Sequence, residues 1–79
     1  MQKNKHLLHV YVFNDISERQ VISPSKVSDY FHAYQFIEFS NQFKCFIFKS
    51  NKAKYKWLII AEERNIDEKE ISLYLQTKE

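Results

Sequence analysis

FKCFIFKSNKAKYKWLIIA, running from Phe43 to Ala61, is the stretch on which the fold turns. Two runs rich in aromatic and β-branched residues flank the polar pair Ser50-Asn51, the pattern of two strands joined by a turn. Side chains alternate faces along a strand, and a turn with an even number of residues carries that alternation across a hairpin. With Asn51-Lys52 as a two-residue turn, Phe48 lies opposite Tyr55, Phe46 opposite Trp57 and Lys44 opposite Ile59. One face is then an aromatic block of Phe46, Phe48, Tyr55 and Trp57. The other is apolar at its base and carries Lys49, Lys54 and Lys56 at its tip.

The same segment is basic. Lys44, Lys49, Lys52, Lys54 and Lys56 occur without an intervening acid, so the hairpin is a candidate contact for an anionic partner. Two readings of the surface follow. A protein partner docks on the aromatic block and is gripped by the lysines, or a nucleic acid lays its phosphates against Lys49–Lys56. Rings and ammonium groups on opposite sides argue against a base-stacking platform, which needs both on one side.

Outward from the hairpin, four clusters of turn-forming residues divide the chain: Asn14-Asp15, Ser23-Pro24-Ser25, Ser40-Asn41 and Ser50-Asn51. His6–Phe13 and Gln35–Phe39 read as further strands, and Glu18–Ile22 as a short return strand. Ser23 before Pro24 reads as a helix start, and Val27, Tyr30, Phe31 and Tyr34 recur at the spacing of an amphipathic helix. Asp67 with Glu70 makes a capping box, flanked by the hydrophobic staple of Ile66 and Ile71, so a helix spans 67–77. The expected order is β-(β)-α-β-β-β-α: a single α+β domain over residues 1–79, an antiparallel sheet of three to five strands with two helices.

In the first strand Leu7, Tyr11 and Phe13 alternate with Leu8, Val10 and Val12, so the sheet is apolar on both sides. Two helices of about three turns each cover one face and leave the other bare, which implies a homodimer or a docked protein.

Composition narrows the chemistry. Aromatic residues make up 16% of the chain, enough to give a small domain a core and to exclude disorder. There is no glycine, which rules out phosphate-cradling loops, the dinucleotide fingerprint and the strained serine elbow, all of which need a residue without Cβ. His6, His9, His32 and Cys45 lack the compact spacing of zinc ligands, so no metal or cofactor is expected. Cys45 sits among apolar neighbours and reads as a buried thiol. Glu62, Glu63, Asp67 and Glu70 gather where a helix start favours acids. No nucleophile, base and oxyanion site can be assembled, and the chain reads as a non-enzyme.

The formal net charge is +2. Residues 1–60 are net basic and 61–79 net acidic, which opposes a broad nucleic-acid footprint. A lone cysteine and the lack of any long apolar run lead to a cytoplasmic expectation. Lys, Asn, Ile, Phe and Tyr dominate at the expense of Ala, Arg, Pro and Gly, the bias of an AT-rich gene such as those of low-GC bacteria, their phages and mobile elements. A regulator or inhibitor that binds protein fits these features best, with nucleic-acid binding as the alternative.

Val10–Asn14 looks like the first-strand motif of RNA-recognition domains, and Lys44–Phe48 vaguely like their third. Both glycines of the latter are missing and a strand rather than a helix follows, so the resemblance assigns no family.

Overall fold

The computed structural model describes residues 8–14 and 18–79. Its strands are β1 (His9–Phe13), β2 (Arg19–Ile22), β3 (Gln35–Ser40), β4 (Cys45–Lys49) and β5 (Trp57–Ala61). A 3-10 turn, Pro24–Lys26, leads into α1 (Ser28–Phe31), and α2 spans Glu68–Gln76. All pairings are antiparallel, in the order β2-β1-β5-β4-β3. The fold is α+β, one five-stranded sheet with two helices, in the order read from the sequence. The short return strand, β2, is present. Residues 6 and 7 of the expected first strand, and Asp15 of the first turn, lie outside the described residues.

The sheet is closed in sequence terms by β1, which pairs with β2 on one side and with the last strand, β5, on the other. Because β2 and β3 are the two edges, the segment between them must cross the whole sheet, and α1 lies on that crossing.

Both faces carry a core, and this corrects the expectation of one bare face. Tyr11, Phe13, Cys45, Ile47, Trp57 and Ile59 pack with Ile66, Ile71 and Leu75 of the α2 region. Val10, Val12, Ile22, Leu58 and Ile60 pack on the other side, against Val27, Tyr30 and Tyr34 of the crossing segment. The helices thus sit on opposite faces, as a sheet apolar on both sides requires.

The two helices differ in quality. In α2 the Asp67 carboxylate accepts from the amides of Lys69 at 3.0 Å and Glu70 at 3.2 Å, satisfying two of the four free amides of a helix start. Ile66 and Ile71 are both buried in one cluster, as a staple requires. By contrast, Ser23 makes no capping bond to a backbone amide; its hydroxyl pairs with that of Ser25. The crossing segment winds mostly by i to i−3 bonds, from Lys26 to Ser23, Val27 to Pro24 and Tyr30 to Val27. Only one helical turn forms where about three were expected. Ser, Asp, Val and aromatic residues favour a helix weakly, and Tyr34 is drawn off into the core, where its hydroxyl donates to the Tyr55 carbonyl at 2.5 Å.

Candidate functional site

The hairpin exists, but its register is not the expected one. β4 and β5 pair Phe46 with Ile60, Ile47 with Ile59, Phe48 with Leu58 and Lys49 with Trp57. The expected pairs Phe48–Tyr55, Phe46–Trp57 and Lys44–Ile59 do not form. Residues 50–56 separate the strands, an odd number, and an odd connection moves every residue of the second strand to the other face. A two-residue hairpin turn needs positive φ at both central positions (type I′) or at the first (type II′); with no glycine, that would force Asn51, alone or with Lys52, into a conformation that favours glycine. The chain takes a wider loop built on buried Ser50, whose hydroxyl accepts from the amides of Lys52 at 3.0 Å and Ala53 at 2.9 Å. The Ser50 amide closes the loop on the Lys56 carbonyl at 2.8 Å.

The aromatic block of Phe46, Phe48, Tyr55 and Trp57 is therefore split. Trp57 is 2% exposed and belongs to the α2-side core. Phe46 and Phe48 point to the α1 side, and Tyr55, in the loop, is half-buried against that same core. The separation of rings from lysines fails too: the Lys49 ammonium lies 5.5 Å from the centre of the Trp57 ring, and that of Lys54 lies 5.6 Å from Tyr55. Lys56 is paired with Glu79 at 3.2 Å. Lys44 is exposed in the β3–β4 turn, and Lys52 and Lys54 are exposed in the 50–56 loop.

What the structure assembles instead is a ladder of phenylalanines on the β3–β4 half of the α1 face. Phe31 at the end of α1 packs on Phe48 at 5.2 Å between ring centres, and Phe48 on Phe36 at 5.5 Å. Phe36 then approaches Phe46 at 6.5 Å, and Phe46 packs on Phe39 at 4.9 Å. Edge-on and tilted contacts of this kind are the favourable geometry for aromatic rings. Phe36 is 56% exposed, and Phe31, Phe39 and Phe46 are each 38–40% exposed. Taking about 200 Å² per side chain, these four leave roughly 350 Å² of contiguous aromatic surface in water. Surface patches of about 300–600 Å² are the largest on typical monomers and are often functional.

A β-bulge makes the ladder possible. Pairing slips between Phe36–Phe48 and Glu38–Ile47, so Ile37 is an extra residue and Phe36 and Phe39, three apart, share a face. Simple alternation places them on opposite faces, which is why the sequence pattern did not bring them together. The only hint was the density of phenylalanine in a short strand. On the other face of β3, the Glu38 carboxylate accepts from the Tyr74 hydroxyl and pairs with Lys78 at 2.9 Å. The Tyr74 hydrogen bond, and then Lys78, hold that carboxyl below its ordinary value. This α2-side clasp leaves the α1 face of the β3–β4 half without a cover.

The histidines and acids do not converge: among the described residues no three His, Cys, Asp or Glu side chains lie together as a metal-binding group. Cys45 is fully buried, and burial, with the Glu38 charge second, pushes its thiol up to about 12. Among the described residues no helix is long and apolar enough to cross a membrane. Comparison with protein families, with characterised proteins and with solved structures finds no match for this chain.

Proposed function

We propose that the protein is a non-enzymatic protein-binding module, acting as a regulator or inhibitor by docking the phenylalanine ladder on an apolar surface of a partner. The observation that carries this is the ladder itself. It is continuous and solvent-exposed, and on the α1 side of β3 and β4 it consists of Phe36, Phe39, Phe46 and Phe48 with no charged residue among them. Ordered aromatic side chains lose little entropy on binding and are the residues most often found at the energetic centre of interfaces. A hollow of about 400 Å³ beside α2, lined by Phe13, Trp57, Ser72, Leu75, Gln76 and Glu79 among others, offers no histidine, cysteine or lysine for catalysis, and its one carboxylate, Glu79, is paired with Lys56. The AT-rich residue usage favours a low-GC bacterial host, phage or mobile element as the setting.

A second reading rests on the loop lysines. Lys52 and Lys54 are exposed, and a phosphate contact there would make binding fall steeply with salt. The ladder counts against it, since phosphates gain nothing from a strip without cations.

The test is capture on immobilised protein from a low-GC bacterial lysate, with a Phe36→Ser/Phe46→Ser double variant alongside. Proteins retained by the wild type, lost by the variant and indifferent to nuclease support the docking reading. Identical retention by both proteins, or release by nuclease, refutes it.

A further inference from the structure

The geometry points to an acidic amphipathic helix of a partner protein as the occupant of the ladder. This inference rests on the docking reading and specifies the partner's chemistry.

Width comes first. Strands lie about 4.8 Å apart, so five of them span roughly 19 Å between edge axes. A helix with its side chains is about 10 Å across, so one face of this sheet takes two side by side. On the α1 face one of those places is filled: the crossing segment packs on Val10, Val12, Ile22, Leu58 and Ile60, which belong to β1, β2 and β5. The β4–β3 half is left over. That strip is one helix wide, with Phe31 of α1 as a wall against Phe48. Its length is that of β4, five residues or roughly 17 Å, which three helical turns match. A helix presenting apolar residues at i, i+3, i+4 and i+7 meets such a groove.

Charge comes second. The strip itself is uncharged, but cations stand at both ends. Lys44 is exposed in the turn that joins Ser40 to Cys45, next to Phe39 and Phe46. Lys52 and Lys54 are exposed in the loop beyond Phe48, and Lys54 lies over Tyr55 of the same face. Apolar in the middle and basic at both rims, the groove is complementary to a helix whose apolar stripe is bordered by Asp or Glu.

The same facts disfavour a second copy. In this chain the apolar stripe of α2, Ile71 and Leu75, is already buried in the core, leaving Leu73 as a lone exposed leucine of that helix, and Val27 and Tyr30 of the crossing segment pack inward. Outside the ladder a copy offers only separate exposed side chains such as Val21 and Leu73, and two ladders face to face set lysine rims against lysine rims. Unpaired edges remain on β2 and β3, but the four-residue length of β2 and the bulge of β3 are both devices that discourage edge-to-edge pairing.

Two designed fluorescein-labelled helices test this. They share one leucine stripe at i, i+3, i+4 and i+7, and carry either Glu or Lys on the bordering positions. Fluorescence anisotropy at low salt is expected to give about tenfold tighter binding of the Glu helix. Lys52→Glu/Lys54→Glu reverses that order, and Phe36→Ser weakens both helices with the circular dichroism spectrum unchanged. Equal binding of the two helices overturns the inference. So does absence of binding up to about 1 mM; if Phe36-dependent capture from lysate persists in that case, the docking reading stands and the helix falls. Sedimentation showing a dimer abolished by Phe36→Ser assigns the groove to a second copy and also overturns it. Displacement of the Glu helix by oligothymidine assigns it to nucleic acid, with the same consequence.

Discussion

Replacing Trp57 with alanine separates the observed hairpin from the one its alternation suggested. Trp57 is 2% exposed, pairs with Phe13 and Lys49 across two neighbouring strands, and packs in the cluster that α2 covers. Truncating a buried ring system to alanine removes its transfer energy and leaves a cavity, at a cost of about 3–5 kcal/mol. A chain of 79 residues has roughly 4–12 kcal/mol to lose, so Trp57→Ala removes a large share of the stability. Phe36 offers the contrast. It is 56% exposed, so less than half of its ring is removed from water, and the gap it leaves opens to solvent. At 25 cal/mol per Å² the cost of Phe36→Ala is about 1–2 kcal/mol. Urea titration followed by circular dichroism at 222 nm is the assay, because the chain has a single tryptophan and fluorescence is lost in the variant. With m near 1 kcal/mol/M for a domain of this size, the midpoint falls by roughly 3–5 M in Trp57→Ala, and by about 1–2 M in Phe36→Ala. Equal losses, or a larger one at Phe36, would refute the assignment of Trp57 to the core and of Phe36 to the surface.

Three further outcomes are expected. The Glu38 carboxyl is held below its ordinary value of 4.5 by the Tyr74 hydrogen bond and by Lys78. Folding therefore favours its charged form; that stabilisation is complete above 4.5 and is lost as pH falls through the lower folded value. Glu38→Gln flattens this acid limb in urea midpoints measured between about pH 6 and pH 2, and an unchanged limb counts against the clasp. Asp67→Ala removes the cap on the Lys69 and Glu70 amides, costing about 1 kcal/mol and roughly 4–8 °C in Tm by calorimetry; no shift means that cap contributes nothing. Cys45, fully buried with its thiol pushed up to about 12, reacts with a disulfide reagent only as fast as the protein unfolds. Labelling faster than unfolding, timed by stopped-flow in the same buffer, contradicts its burial.

The amino-acid sequence alone determined those elements whose signals are local. Asp67, Ile66 and Ile71 mark α2 within six residues, and runs of Val, Ile, Phe and Tyr mark four strands in the right order, with the short Glu18–Ile22 left open as a fifth. That Cys45 is buried was legible from its neighbours. Face assignments were not, because alternation states only that successive residues differ in face. Which side a strand shows depends on the count of residues in the preceding turn. Ser50, by accepting two loop amides, made that count odd, put Trp57 in the α2-side core and set Phe46 and Phe48 apart from it. The bulge at Ile37 brought Phe36 and Phe39 to one side, and no residue within β3 announces it. The short winding of the crossing segment, set by the pull of Tyr34 into the core, left their half of the sheet open. Loop width is decided by the hydrogen bonds that Ser50 makes within the loop, bulge and helix length by partners farther along the chain, and the ladder exists only where all three act together.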